Sequence, residues 1–218
     1  MTKASEFTSA LGERAPRYGV RLGGETVGRL REYYELVTAW NARLHLVAPC
    51  SPAEFAARHV LESLLAAEHI AEDAHVADVG SGAGLPVIPC LIARADLSAT
   101  LVEASPKKAV FLREALRQAG AQRRAQVIAE RFEKTRAPAA SYVTCRALDR
   151  FTELLPRLLE WSPPQSTLLL FGGDSLRERL EESARGYQAQ HIPESERRFL
   201  FVVNPEAKVR SPKSDQTA

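Results

Sequence analysis

The run VADVGSGAGLP, Val76 to Pro86, brings an acidic residue, Asp78, and three alternating glycines, Gly80, Gly82 and Gly84, to the end of an apolar segment. Glycine has no Cβ, so such a backbone turns sharply and lies close to a bulky ligand, while a carboxylate at a strand end takes charged or hydroxyl groups of that ligand. A second carboxylate, Glu103, closes the next apolar run, ATLVE. This is the pattern of a nucleotide-type cofactor loop. A dinucleotide fingerprint reads G-x-G-x-x-G; the spacing here is G-x-G-x-G preceded by D-x, which fits S-adenosylmethionine better than NAD. In such a site the adenosine lies across the strand ends and Glu103 reaches the ribose hydroxyls.

The elements that must carry this loop are legible in outline. Val27, Leu30, Tyr34, Val37, Trp40 and Leu44 recur at three- and four-residue steps, marking an amphipathic helix in which Trp40 reads as a core anchor between the first helices. Ser51, Pro52 and Glu54 then supply an N-cap, a first-turn proline and a capping-box acid, with Phe55, Val60, Leu61, Leu64 and Leu65 as the apolar face that follows. Two helices therefore precede the loop. After it, apolar runs near 76–79, 99–103, 126–129, 141–145 and 167–171 alternate with helical segments near 86–94, 106–119, 150–161 and 175–185, which argues a parallel sheet flanked by helices. The helix after Glu103 has Ser105 as cap, Pro106 at its first position and Gly120 just past its end. Runs near 188–192 and 199–203, joined by a polar loop, read as strands closing the sheet edge, one of them antiparallel.

At 218 residues and 45% apolar content the chain can bury a full core as one domain with an N-terminal extension. Cys50, Cys90 and Cys145 are odd in number and widely spaced, which suits small buried residues in a reducing compartment rather than a disulfide or metal site. The first twenty residues lack a continuous apolar run, and the stretch Leu85 to Ala93 is short and broken by Pro86 and Pro89; neither a signal peptide nor a membrane span is expected. Net charge is only +2, yet Lys107, Lys108, Arg113, Arg117, Arg123 and Arg124 face a single acid, Glu114, between Ser105 and Arg124. A solvated helix surface is the simpler account of this cluster, and a phosphate-contacting face the alternative. A second cluster, Arg197, Arg198, Lys208, Arg210 and Lys213, lies near the C-terminus.

Trp40-Asn41, the stretch Arg58-His59-Val60-Leu61-Glu62-Ser63-Leu64, the loop DVGSGAGLPVIP and the run LVEASPKKAVFL together resemble the RsmG (GidB) family, in order and at family-like spacings from about Tyr34 to about Phe171. The resemblance implies a class I (Rossmann-like) α/β methyltransferase fold, a mostly parallel seven-stranded sheet with an N-terminal helical extension. It implies S-adenosylmethionine as cofactor and guanine N7 of small-subunit ribosomal RNA as acceptor. Carried over by position, it places Gly80 and Leu85 at the cofactor, Phe132 and Glu133 beside the adenine, and Arg146 beside the reacting methyl, where it is the catalytic candidate. Asp78, Gly82, Gly84 and Glu103 join the same set on both readings. Arg58 and His59 either cover the N-terminal helices or contact RNA; with Lys107 and Lys108 they are the RNA-binding candidates, and no metal is implied.

Expected domain organisation is a helical extension over 1–73, a methyltransferase core over 74–205 and a polar tail over 206–218, in a cytoplasmic monomer whose partner is small-subunit RNA or the small ribosomal subunit. Three positions depart from the family pattern. Val87 stands where a glycine is usual between the prolines, Phe171-Gly172-Gly173 replaces a Lys-Gly step, and the basic tail motif is only faintly echoed by Lys208, Arg210, Pro212 and Lys213. Other acceptors on the same fold, and a non-catalytic protein that binds S-adenosylmethionine at the ribosome, remain the alternatives.

Overall fold

Seven strands form one sheet in the order β3-β2-β1-β4-β5-β7-β6: β1 (His75–Val79), β2 (Ser98–Val102), β3 (Ala125–Ile128), β4 (Tyr142–Arg146), β5 (Thr167–Gly172), β6 (Tyr187–His191) and β7 (Phe199–Val203). The computed structural model describes residues 2–146, 151–183 and 185–205; the expected tail over 206–218 and its basic residues lie outside them. All neighbours pair in parallel except β7, which runs antiparallel to both β5 and β6. The single reversed strand expected at the sheet edge is thus β7, and a short hairpin joins it to β6. Because β1 has β2 on one side and β4 on the other, the strand order reverses beside it, and an open parallel sheet offers a crevice at the carboxyl ends there.

Helices cover both faces. After β1 come α5 (Val87–Ala93) and, after β2, α6 (Pro106–Gln118); α7 (Phe151–Trp161) follows β4 and α8 (Asp174–Glu182) follows β5. Before the sheet lie α1 (Lys3–Arg14), α2 (Gly24–Leu44), α3 (Pro52–Phe55), a π-helical stretch over Ala56–Leu61, and α4 (Glu62–Ala67). These N-terminal helices share one continuous apolar core with β1, β2, α5 and α6, whereas α7 and α8 pack on the opposite face of the sheet.

The helix α1 corrects the expectation of two helices before the loop. Its apolar face is only Phe7, Ala10 and Leu11, too short a stripe to register against the polar residues around it. Phe7 and Leu11 are nonetheless wholly buried, which stabilises each by about 2 kcal/mol relative to exposure. Phe7 stacks on Tyr34 at 4.6 Å between ring centroids, and Phe55 meets both edge-on. Trp40, packed against the core that the N-terminal helices share, also meets Phe111 of α6 edge-on and so ties α2 to the helix layer over the sheet.

Candidate functional site

The loop after β1 is held from three directions. Gly80, Gly82 and Gly84 all have positive φ, at +70°, +53° and +85°, a region costly for side chains, and the amides of Gly80 and Ser81 donate to the carbonyl of Val102 at the end of β2. From β2 the Glu103 carboxylate returns the contact, Oε2 accepting from the Gly82 amide at 2.8 Å and Oε1 from the Ser105 amide at 2.8 Å. From α2 the buried Tyr33 hydroxyl donates to the Ala83 carbonyl at 2.7 Å. The outcome is a rigid concave strip of backbone at the crevice beside β1.

That strip walls a crevice of about 790 Å³. Gly80, Gly82, Leu85 and Glu103 line one side, and Phe132 and Glu133 line the end beyond β3. Phe132 is buried with its ring edge-on to Trp161, while Glu133 is exposed. Across the crevice stand Arg146, at the end of β4, and Arg58 and His59, on the π-helical stretch; Lys108 completes the set. Ten of the expected positions therefore converge on one space, wherever their roles lie. Leu46, Val47 and Ala48 form a lip that sequence reasoning missed. Asn41 shapes it, donating from Nδ2 to the Val47 carbonyl and accepting the Val47 amide on Oδ1, both at 3.0 Å. Glu153, Leu154 and Arg157 of α7 were likewise unforeseen.

Three expected residues stand off the wall. Asp78 is wholly buried beneath the loop rather than open to a ligand: Oδ1 accepts the Thr144 hydroxyl at 2.6 Å and Oδ2 has no partner. Burial outweighs the Thr144 hydroxyl bond and raises its pKa from 3.8 to about 7, while the Ser81 hydroxyl donates to the Asp78 backbone carbonyl at 3.1 Å. Gly84 faces inward, where a Cβ would come within 2.3 Å of Ile88 Cδ1 and 3.2 Å of Leu112 Cδ2, so its glycine serves packing. Lys107 is exposed outside the crevice. The basic face on α6 is also less open than its sequence suggests. Arg117 pairs with Glu114, and Arg124 donates to the carbonyls of Leu91, Arg94 and Leu97, a structural clasp. Val87 is buried behind the wall.

The Arg146 side chain is 12% exposed and pairs with a carboxylate that is 1% exposed, that of Glu62, at 3.0 Å; Arg198, from the β6–β7 hairpin, reaches the other oxygen of Glu62 at 2.5 Å. Arg146 Nη2 also donates to the Arg58 carbonyl at 2.5 Å, and its guanidinium lies over the Phe171 ring, 5.2 Å from the centroid. Burial and the surrounding arginines, Arg146, Arg58 and Arg198, push the His59 pKa down to about 3, so its imidazole is neutral at ordinary pH. Glu62 carried a signal in the sequence, a lone acid within the apolar run Val60 to Leu65.

This topology, a glycine loop at the switch beside β1 and an acidic residue ending β2, defines a class I S-adenosylmethionine-dependent methyltransferase. The fold aligns with an RNA methyltransferase from Salinibacter ruber in complex with S-adenosyl-L-homocysteine at a TM-score of 0.55 and 19% identity, over 76% of this chain and 98% of that one. A SAM-dependent methyltransferase from Aquifex aeolicus aligns at 0.56 and 14% identity, over 69% and 93%. Residues 27–203 match the GidB family, described as rRNA small subunit methyltransferase G, and the chain belongs to that family. Relatives named ribosomal RNA small subunit methyltransferase G include one from Gluconobacter oxydans, 37% identical over 77% of this chain and 85% of its own length. Another, from Sorangium cellulosum, is 36% identical over 79% and 74%. Among the described residues, no helix is long and apolar enough to cross a membrane, and no group of His, Cys, Asp or Glu is placed to hold a metal.

Proposed function

We propose that this chain transfers a methyl group from S-adenosylmethionine to N7 of a guanine in small-subunit ribosomal RNA, acting in the cytoplasm as a monomer. The observation that carries the reading is the convergence of the glycine loop, Glu103 and Arg146 on one crevice in a member of this family. The residues present fit the cofactor. Glu103 keeps lone pairs free beside its two backbone donors, which suits ribose hydroxyls, and Gly80 and Gly82 present bare backbone to the crevice. Phe132 and Glu133 suit the adenine end, and Leu85 adds apolar wall.

When bound, S-adenosylmethionine supplies an electrophilic methyl on a positively charged sulfur. Guanine N7 is a free acceptor on the base edge, so methylation there leaves no proton to be removed. The protein must hold the two reactants close and aligned, which by itself accounts for a large part of such a barrier. The crevice is suited to that work, and His59 in its wall is neutral. Arg146 orients the acceptor beside the methyl, while Asp78 acts from behind the loop, holding its shape rather than touching ligand. Arg58, His59, Lys107 and Lys108 flank the entry for RNA.

The test is labelled-methyl transfer from S-adenosylmethionine to small ribosomal subunits, and to their naked RNA, from cells lacking this protein, followed by strand cleavage specific for N7-methylguanine. Cleavage at one guanine is expected. Transfer to another position, or none despite tight cofactor binding, would move the reading to another acceptor or to a non-catalytic role.

A further inference from the structure

Glu62 opens α4 as a carboxylate almost wholly withdrawn from water, which is costly unless its charge is met at close range. It is met twice, by Arg146 from β4 and by Arg198 from the β6–β7 hairpin, on separate oxygens. The π-helical stretch just before it hydrogen-bonds at longer intervals than an α-helix, and the Arg58 carbonyl there accepts from Arg146 Nη2. With Phe171 beneath its guanidinium, Arg146 is fixed by three groups, and its Nη1 is left buried with no partner in the crevice wall.

We propose that Glu62 is a positioning residue for methyl transfer, holding Arg146 in the wall and offsetting its charge so that a cationic ligand centre can lie beside it. The proposal rests on reading the crevice as a methyl-transfer site. A guanidinium stays charged under all ordinary conditions, and in a partly desolvated crevice an uncompensated one repels a sulfonium. His59 is neutral and contributes no opposing charge. Arg58 is matched by Glu54 at 2.6 Å. Glu62 is therefore the carboxylate that meets Arg146, and Arg198 competes for it.

The consequence is a charge-selective effect that a purely structural carboxylate would not produce. S-adenosylmethionine and S-adenosylhomocysteine differ at the sulfur, cationic in the first and neutral in the second, so the ratio of their affinities reads the field at that point. In calorimetry, Glu62→Gln is expected to weaken S-adenosylmethionine about tenfold more than S-adenosylhomocysteine, while Glu62→Asp keeps most of the wild-type ratio. Arg198→Gln, at a side chain one third exposed on a hairpin, removes the competing cation and is expected to shift the ratio the other way by about threefold. It serves as the deciding variant should Glu62→Gln not fold. Equal losses for both ligands in Glu62→Gln, or an unchanged ratio in Arg198→Gln, would overturn the proposal alone. Failure of the wild-type protein to bind either ligand would remove the reading of the site and the proposal with it.

Discussion

The Gly82 amide donates to Glu103 Oε2 across 2.8 Å, which ties the loop after β1 and the end of β2 into a single hydrogen-bonded unit. Replacing Glu103 by alanine removes the expected acceptor of ligand hydroxyls and leaves the Gly82 and Ser105 amides without their partner. Losses of this kind are worth about 1–3 kcal/mol, or roughly five- to 150-fold in affinity. Calorimetric titration with S-adenosylhomocysteine should show such a loss. Unchanged affinity would place the ribose elsewhere.

Gly82 and Gly84 separate site from scaffold. A methyl at Gly82 has only the Gly80 carbonyl oxygen nearby, at 3.7 Å, so Gly82→Ala should cost about 1 kcal/mol of backbone strain yet weaken S-adenosylhomocysteine measurably. At Gly84 the added Cβ collides with Ile88 and Leu112 in the core, and Gly84→Ala should destabilise by about 2–4 kcal/mol. Urea unfolding of both variants checks the contrast. A Gly84→Ala protein as stable as Gly82→Ala would show that the loop relaxes around the core side chain.

Tyr33 connects the helical extension to the loop by one buried hydrogen bond, to the Ala83 carbonyl. Tyr33→Phe keeps the ring and deletes the donor, leaving a buried carbonyl unpaired at a cost of about 1–3 kcal/mol. Both unfolding free energy and S-adenosylhomocysteine affinity should fall. A stability loss with full affinity would mean that β2 alone shapes the loop.

What the chain reveals in one dimension depends on whether the signal is local. Ser105, Pro106 and Gly120 bound α6 because caps act within a turn, and the strand-loop unit from Val76 to Gly84 is likewise contiguous. Arg124 read as part of a basic surface because its carbonyl partners lie about thirty residues earlier. Asp78 read as a ligand contact because its type and place suit one, but strand register turns it under the loop toward Thr144. The Glu62, Arg146 and Arg198 cluster joins three elements remote in sequence, and only the sheet order brings them together. The π-helical stretch that carries Arg58 and His59 leaves no mark in apolar periodicity, which predicts ordinary helix there.

Asp78 gives the fold a pH dependence of definite sign. Its folded pKa of about 7 lies above the ordinary 3.8, so between about pH 4 and 7 the unfolded chain ionises this group while the folded chain keeps it protonated. Its contribution is thus fully present below pH 4, is lost as pH rises through that window, and is constant above it. The difference between about 7 and 3.8 corresponds to at most about 4 kcal/mol. Asparagine does not titrate, and its carbonyl oxygen still accepts the Thr144 hydroxyl. Asp78→Asn should therefore gain stability relative to wild type from pH 4.5 to pH 8, by up to a few kcal/mol, in urea unfolding followed at several pH values. Parallel stability curves for the two proteins would show that Asp78 is ionised in the folded state across the whole range, and that the Thr144 hydroxyl compensates its burial more fully than the geometry implies.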